Sequence, residues 1–115
     1  MKEIYLDHAA TTRVDDRVVK KMLPYFTEVY GNPNSQHGYG RDAQQAVDEA
    51  RDTIARLIGA KPAEVYFTSG GTESDNWALR GTCKALAHKG KHVIMSKIEH
   101  AARLTTAHEL EKEGF

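Results

Sequence analysis

Cysteine is nearly absent: Cys83 is the only one in 115 residues, so no disulfide forms within the chain and no cysteine-built metal cluster assembles. That scarcity suits a reducing compartment. Charge of one sign is lacking too. Sixteen Lys and Arg balance sixteen Asp and Glu, mixed along the helical segments, and without a basic stripe no nucleic-acid partner is expected. No run approaches the roughly 20 apolar residues that span a bilayer, and the opening MKEIYLDH lacks the apolar stretch of a signal peptide. A cytoplasmic protein with no membrane partner is the expectation. There is no repeat, low-complexity tract or linker, and residues from about 4 to the end read as one continuous packed segment.

What is there is a series of amphipathic stretches around two short apolar runs. Asp15-Asp16 suits a helix start, and Val18, Met22, Phe26 and Val29 recur at helical spacing to about Tyr30, with a kink expected at Pro24. A second helix is expected over roughly Tyr39 to Ile58, where Ala43, Ala46, Val47, Ala50, Ile54, Leu57 and Ile58 form one stripe and Gly59 follows the last turn. Val65-Tyr66-Phe67 and Val93 to Met95 read as buried strands, each followed by a helix, over about Thr72 to His88 and Ala101 to Glu113. Strand, helix, strand, helix implies an α/β sheet.

The segment TSGGTES sets Gly70 and Gly71 between the first strand and its helix, with the hydroxyls of Ser69, Thr72 and Ser74 beside them. Glycines admit a ligand close to the backbone, the unpaired N–H groups of a first helical turn point outward, and the helix dipole favours negative charge. A phosphate suits such a turn. Equally, Ser69 or Thr72 could simply cap the helix, with Glu73 and Asp75 placed near the positive end of the dipole. The spacing is neither G-x-x-x-x-G-K-[ST] nor G-x-G-x-x-G, so nucleoside triphosphates and dinucleotides are poorly supported.

His100 follows the second strand, at the carboxyl end where open α/β sheets bind ligands, the same side as the glycine turn. Its imidazole could stack on a planar cofactor or carry a proton, or it could cap the next helix. His8, His37, His88, His92 and His108 show no tight ligand spacing, and no metal site is expected. Cys83 shares a helical stripe with Leu79 and Leu86 and reads as a packing residue.

Taken together, IYLDHAATT, YGNPNSQH, FTSGGTESDN and SKIEH, in this order and at these separations, resemble the N-terminal part of cysteine desulfurases in the class V aminotransferase group. The resemblance covers essentially the whole chain, which would form about the first third of such an enzyme. It implies a fold-type I, pyridoxal-phosphate-dependent homodimer that takes sulfur from L-cysteine, leaves alanine, and passes a persulfide to a sulfur-acceptor protein for iron–sulfur clusters or RNA thiolation. On that resemblance, residues 1–14 are an N-terminal arm or small-domain segment, and 15–115 are the first part of the large domain, with the first two strands of its sheet. Gly71 and Thr72 would hold the cofactor phosphate. His100 would stack on the pyridine ring and take part in catalysis. Ala10-Thr11-Thr12 would approach the substrate.

The resembled family draws its Schiff-base lysine, the partner of the pyridine nitrogen, the substrate-carboxylate arginine and the sulfur-accepting cysteine from beyond the position matching Phe115. Neither Lys97 nor Cys83 sits at a matching place, so no activity is expected of this polypeptide alone. His8 stands where asparagine is common, and Ala101 where proline or lysine is often seen. Selenocysteine lyases and cysteine sulfinate desulfinases share these early motifs, leaving the substrate open. A non-catalytic module that associates with itself or with a full-length desulfurase is the reading from a different class. A further reading has the sequence continue beyond Phe115 into a whole enzyme.

Overall fold

Asp15 begins the ordered helices by accepting the Arg17 N–H at 2.8 Å, which caps α1 (Asp16–Met22). Leu23 keeps helical angles, and Pro24 then opens a separate short helix, α2 (Pro24–Thr27), at its first position, where a missing N–H costs nothing. The kink expected at Pro24 is thus a break between two helices. The computed structural model describes residues 3–115, which form two compact units meeting in sequence at Val65 and Tyr66.

The first unit is built on α3 (Gly38–Ile58), close to the expected span. His37 caps its start, its Nδ1 accepting from the Gly40 N–H at 3.4 Å. Gly59 ends it in the left-handed conformation, φ 69°, the conformation that glycine adopts without a Cβ penalty. Gly40 meets a different demand: it is buried, and a Cβ there would lie 2.1 Å from the Ser35 carbonyl oxygen. The YGNPNSQH loop therefore folds directly onto the first turn of α3.

The apolar stripe of α3 is only partly covered. Ala43 is buried, yet Leu57 is 80% exposed, while Ala55, which lies off the expected stripe, is 1% exposed. The cause is a short 3₁₀ turn, Pro62–Glu64, which packs on α3. Arg51 reinforces this by donating from Nη1 to the Val65 carbonyl. The chain thus doubles back over the Ala55 face.

The second unit consists of α4 (Gly71–Leu86) and α5 (Ala101–Lys112), packed on each other. Leu110 and Thr106, each 2% exposed, are its most buried side chains. Three cross-helix pairs give the relative direction: Asp75 with Arg103, Asn76 with Thr106, and Arg80 with Glu113. Residue numbers rise together on both helices, so α4 and α5 run parallel and their N-termini share one end.

The two expected strands require correction. Among the described residues there is no β-ladder, and no strand is formed at Val65–Phe67 or at Val93–Met95. Val65 is extended, φ −105° and ψ 124°, so the local preference is present there, but a strand exists only when another strand accepts its hydrogen bonds. What the described residues contain is five α-helices and one 3₁₀ turn. Parallel neighbouring helices are nonetheless what right-handed crossover connections in an α/β fold produce.

Candidate functional site

The turn before α4 is open. Gly70 stands at the N-cap with extended backbone and no side-chain cap, and a Cβ built on Gly70 or Gly71 would meet nothing within 4 Å. The helical ladder starts with the Ser74 N–H donating to the Gly70 carbonyl at 3.1 Å. The N–H groups of Gly71, Thr72 and Glu73 find no acceptor among the described residues, and neither does the Thr72 hydroxyl. Three outward donors at a positive helix end make an arrangement that suits an anion with several oxygens.

Two carboxylates lie close to this turn, and each already has a partner. Glu73 folds back so that Oε2 accepts from both the Ser69 N–H and the Ser69 hydroxyl, each at 2.7 Å. The hydroxyl bond first, and the backbone bond second, hold the Glu73 carboxyl below its ordinary range, so it stays ionised. Asp75 meets Arg103 at 3.1 Å across the helix pair, which balances its charge. Thr68 tightens the base of the turn, its Oγ1 lying 2.6 Å from Ser74 Oγ and 3.2 Å from the Gly70 carbonyl.

His100 is the N-cap of α5, with Nδ1 accepting from the Ala102 N–H at 3.2 Å. Capping is therefore what the imidazole does in this structure. It also fixes the ring: with Nδ1 as acceptor, Nε2 is left to face outward on an exposed side chain. Because α4 and α5 are parallel, His100 and the Gly70-Gly71-Thr72 turn lie at the same end of the second unit. The third group singled out in the sequence, Ala10-Thr11-Thr12, belongs to the first unit. There Tyr5 Oη donates to the carbonyls of Asp7 at 2.8 Å and Thr11 at 3.1 Å.

Three participants carried no usable sequence signal. Asn76 donates from Nδ2 to the Thr72 carbonyl at 2.9 Å and accepts from the buried Thr106 hydroxyl at 2.7 Å. Arg103 joins Asp75 to Glu99. Glu73 and Asp75 did announce themselves, as acids near the positive end of the helix dipole. Cys83 is half-buried and lines an apolar groove of about 460 Å³ with Leu79, Leu86 and Phe115, in keeping with a packing role. No group of His, Cys, Asp and Glu suited to a metal occurs among the described residues, and no helix there is long and apolar enough to cross a membrane.

Comparison with known proteins gives the family of the chain. The family described as Aminotransferase class-V matches residues 4–115. The chain is 53% identical over 114 residues to "Cysteine desulfurase IscS" of Dictyoglomus turgidum, covering 99% of this chain and 29% of that protein. It is 52% identical over 115 residues to "Putative cysteine desulfurase IscS 1" of Bacillus subtilis, covering 100% of this chain and 30% of that one. A solved structure described as a NifS-like protein superposes with a TM-score of 0.86 at 43% identity, over 92% of this chain and 29% of its own. The chain thus spans under a third of the length of these relatives, and its fold is that of the matching part of a fold-type I enzyme. With the match running from Ile4 to Phe115, the chain belongs to the class-V aminotransferase family.

Proposed function

We propose that this chain forms the phosphate-holding and ring-facing part of a pyridoxal 5'-phosphate site in a cysteine desulfurase. The observation that carries the reading is the shared end of α4 and α5, which sets the free N–H groups of Gly71 and Thr72 on the same side as His100. Gly71 and Thr72 take the phosphate through backbone N–H groups and the Thr72 hydroxyl, and the His100 ring lies against the pyridine. When bound, the cofactor supplies an electron sink for bonds at the substrate α-carbon. The chain's own residues bind the phosphate, orient the ring, and offer Nε2 of His100 for proton transfer.

In the whole enzyme the substrate is L-cysteine, the product is alanine, and the sulfur passes as a persulfide to an acceptor protein. The parent works as a cytoplasmic homodimer. Residues 1–14 act as its N-terminal arm, with Ala10-Thr11-Thr12 toward the substrate, and 15–115 as the first part of the large domain. The similarity to cysteine desulfurases favours cysteine over selenocysteine or cysteine sulfinate. The 115-residue polypeptide alone performs no turnover, because neither Lys97 nor Cys83 occupies a reacting position. Incubation with L-cysteine and the cofactor, assayed for sulfide and alanine, is expected to match a protein-free blank. Turnover above that blank contradicts the reading.

A second reading draws on the exposed apolar side chains Leu57, Ile58, Ile94 and Ile98. In it the chain is an association module for itself or for a full-length desulfurase. Light scattering with a pull-down against such an enzyme tests this, and a monodisperse monomer that ignores the enzyme counts against it.

A further inference from the structure

Arg103 breaks a local rule. It sits in the first turn of α5, where the helix dipole disfavours a cation. Two carboxylates from different places compensate it. Nε lies 3.1 Å from Asp75 Oδ1 on α4, and Nη1 lies 2.6 Å from Glu99 Oε2, the residue directly before His100. The side chains of Asp75 and Glu99 are only 25% and 29% exposed, against 44% for Arg103, so this cluster is less open to water than an ordinary surface pair. A residue that violates local preference and is compensated from a distant segment is a mark of a functional constraint.

We propose that Asp75, Arg103 and Glu99 form a positioning clamp that sets the Gly71-Thr72 turn against the His100 ring, an inference that rests on the cofactor reading above. Asp75 follows Thr72 by three residues, so it opens the second turn of α4, next to the turn that carries the phosphate donors and on the face that Thr72 begins. Glu99 adjoins His100, whose ring is already pinned through Nδ1. A guanidinium is planar and rigid, and its two nitrogens cannot satisfy both carboxylates unless the helix starts keep one spacing. Arg103 touches neither phosphate nor ring. It is a positioning residue, and its loss loosens one end of the α4–α5 pair.

Hydrogen exchange read by mass spectrometry, without ligand, tests the clamp on the 115-residue chain. Arg103→Ala is expected to raise exchange in both the 70–76 and the 99–104 segments, with Arg103→Lys restoring part of the protection in both. Arg13→Ala, which removes an exposed ion pair in the first unit, is expected to leave both segments unchanged. A change confined to 99–104 overturns the proposal. Should Arg103→Ala raise exchange everywhere, Asp75→Asn decides by the same criterion. A second arm titrates pyridoxal phosphate: Arg103→Ala is expected to weaken binding roughly three-fold, in line with a partly exposed ion pair. If the unaltered chain does not respond to the cofactor, the cofactor reading fails, while the ligand-free exchange still decides whether the clamp exists.

Discussion

Thr106 on α5 donates its hydroxyl to Asn76 Oδ1 on α4 across 2.7 Å, and Asn76 passes the connection on by donating to the Thr72 carbonyl. The Thr106 proton is shared with the Ala102 carbonyl at 2.8 Å, so one buried hydroxyl serves both its own helix and its neighbour. The candidate phosphate turn is thus braced from behind by a residue that lies 2% exposed in the helix interface.

Thr106→Val keeps the shape and removes this donor. The expected loss is about 1–2 kcal/mol of stability, because a part-buried carboxamide oxygen is left underbonded. Urea unfolding followed by circular dichroism checks it, and an unchanged midpoint means that the bond contributes nothing net.

Gly40→Ala and Gly59→Ala separate two reasons for glycine. At Gly59 the cost comes from a left-handed φ alone, about 1 kcal/mol. At Gly40 the added Cβ would press on the carbonyl oxygens of Ser35 and Asn32, both backbone atoms, so the loop must move. The same unfolding measurement is expected to rank Gly40→Ala well below Gly59→Ala.

Glu73 gives a pH dependence of known sign. Its carboxyl is held below the ordinary value of 4.5 in the folded chain, first by the Ser69 hydroxyl and then by the Ser69 N–H. A depressed folded value means that stabilisation is present above the unfolded value and is lost as pH falls through the folded one. Glu73→Gln is therefore expected to be less stable than the unaltered chain near neutrality, with the difference shrinking below about pH 4.5. Thermal melts at several pH values check this; a constant difference across the range contradicts it.

Helices were legible in the sequence because their signals are local. The Gly59 stop, the Asp15 start and the break at Pro24 each act within one turn of chain. Strands were not legible in the same way: Val65-Tyr66-Phe67 carries the preference, but a strand depends on a ladder with a distant segment, and no ladder forms among the described residues. Likewise the α3 stripe marked an apolar face without saying what would cover it, and the Pro62–Glu64 turn came to cover Ala55 instead of Leu57. Of the site, Gly71, Thr72 and His100 were visible as types at suggestive places. Their shared side was also expected, from the alternation of strand and helix, but the Asp75–Arg103 contact that joins the two helices was not, since those residues are far apart in the chain.

Thr72→Val tests the hydroxyl separately from the backbone. Removing one of several donors to a charged phosphate is expected to weaken pyridoxal phosphate binding by roughly ten-fold, while leaving the unfolding midpoint nearly unchanged. Fluorescence of the bound cofactor, measured beside the urea transition, distinguishes lost contact from lost fold.

The central claim is that the turn before α4 and the imidazole at the start of α5 serve one ligand. Titrating the isotopically labelled chain with pyridoxal phosphate, and following its nuclear magnetic resonance spectrum, tests it most directly. The amides of Gly71 and Thr72 and the ring of His100 are expected to shift together along one saturable curve, however weak the binding. Shifts confined to lysine side chains, or a His100 ring that stays still while the glycine turn responds, would contradict it.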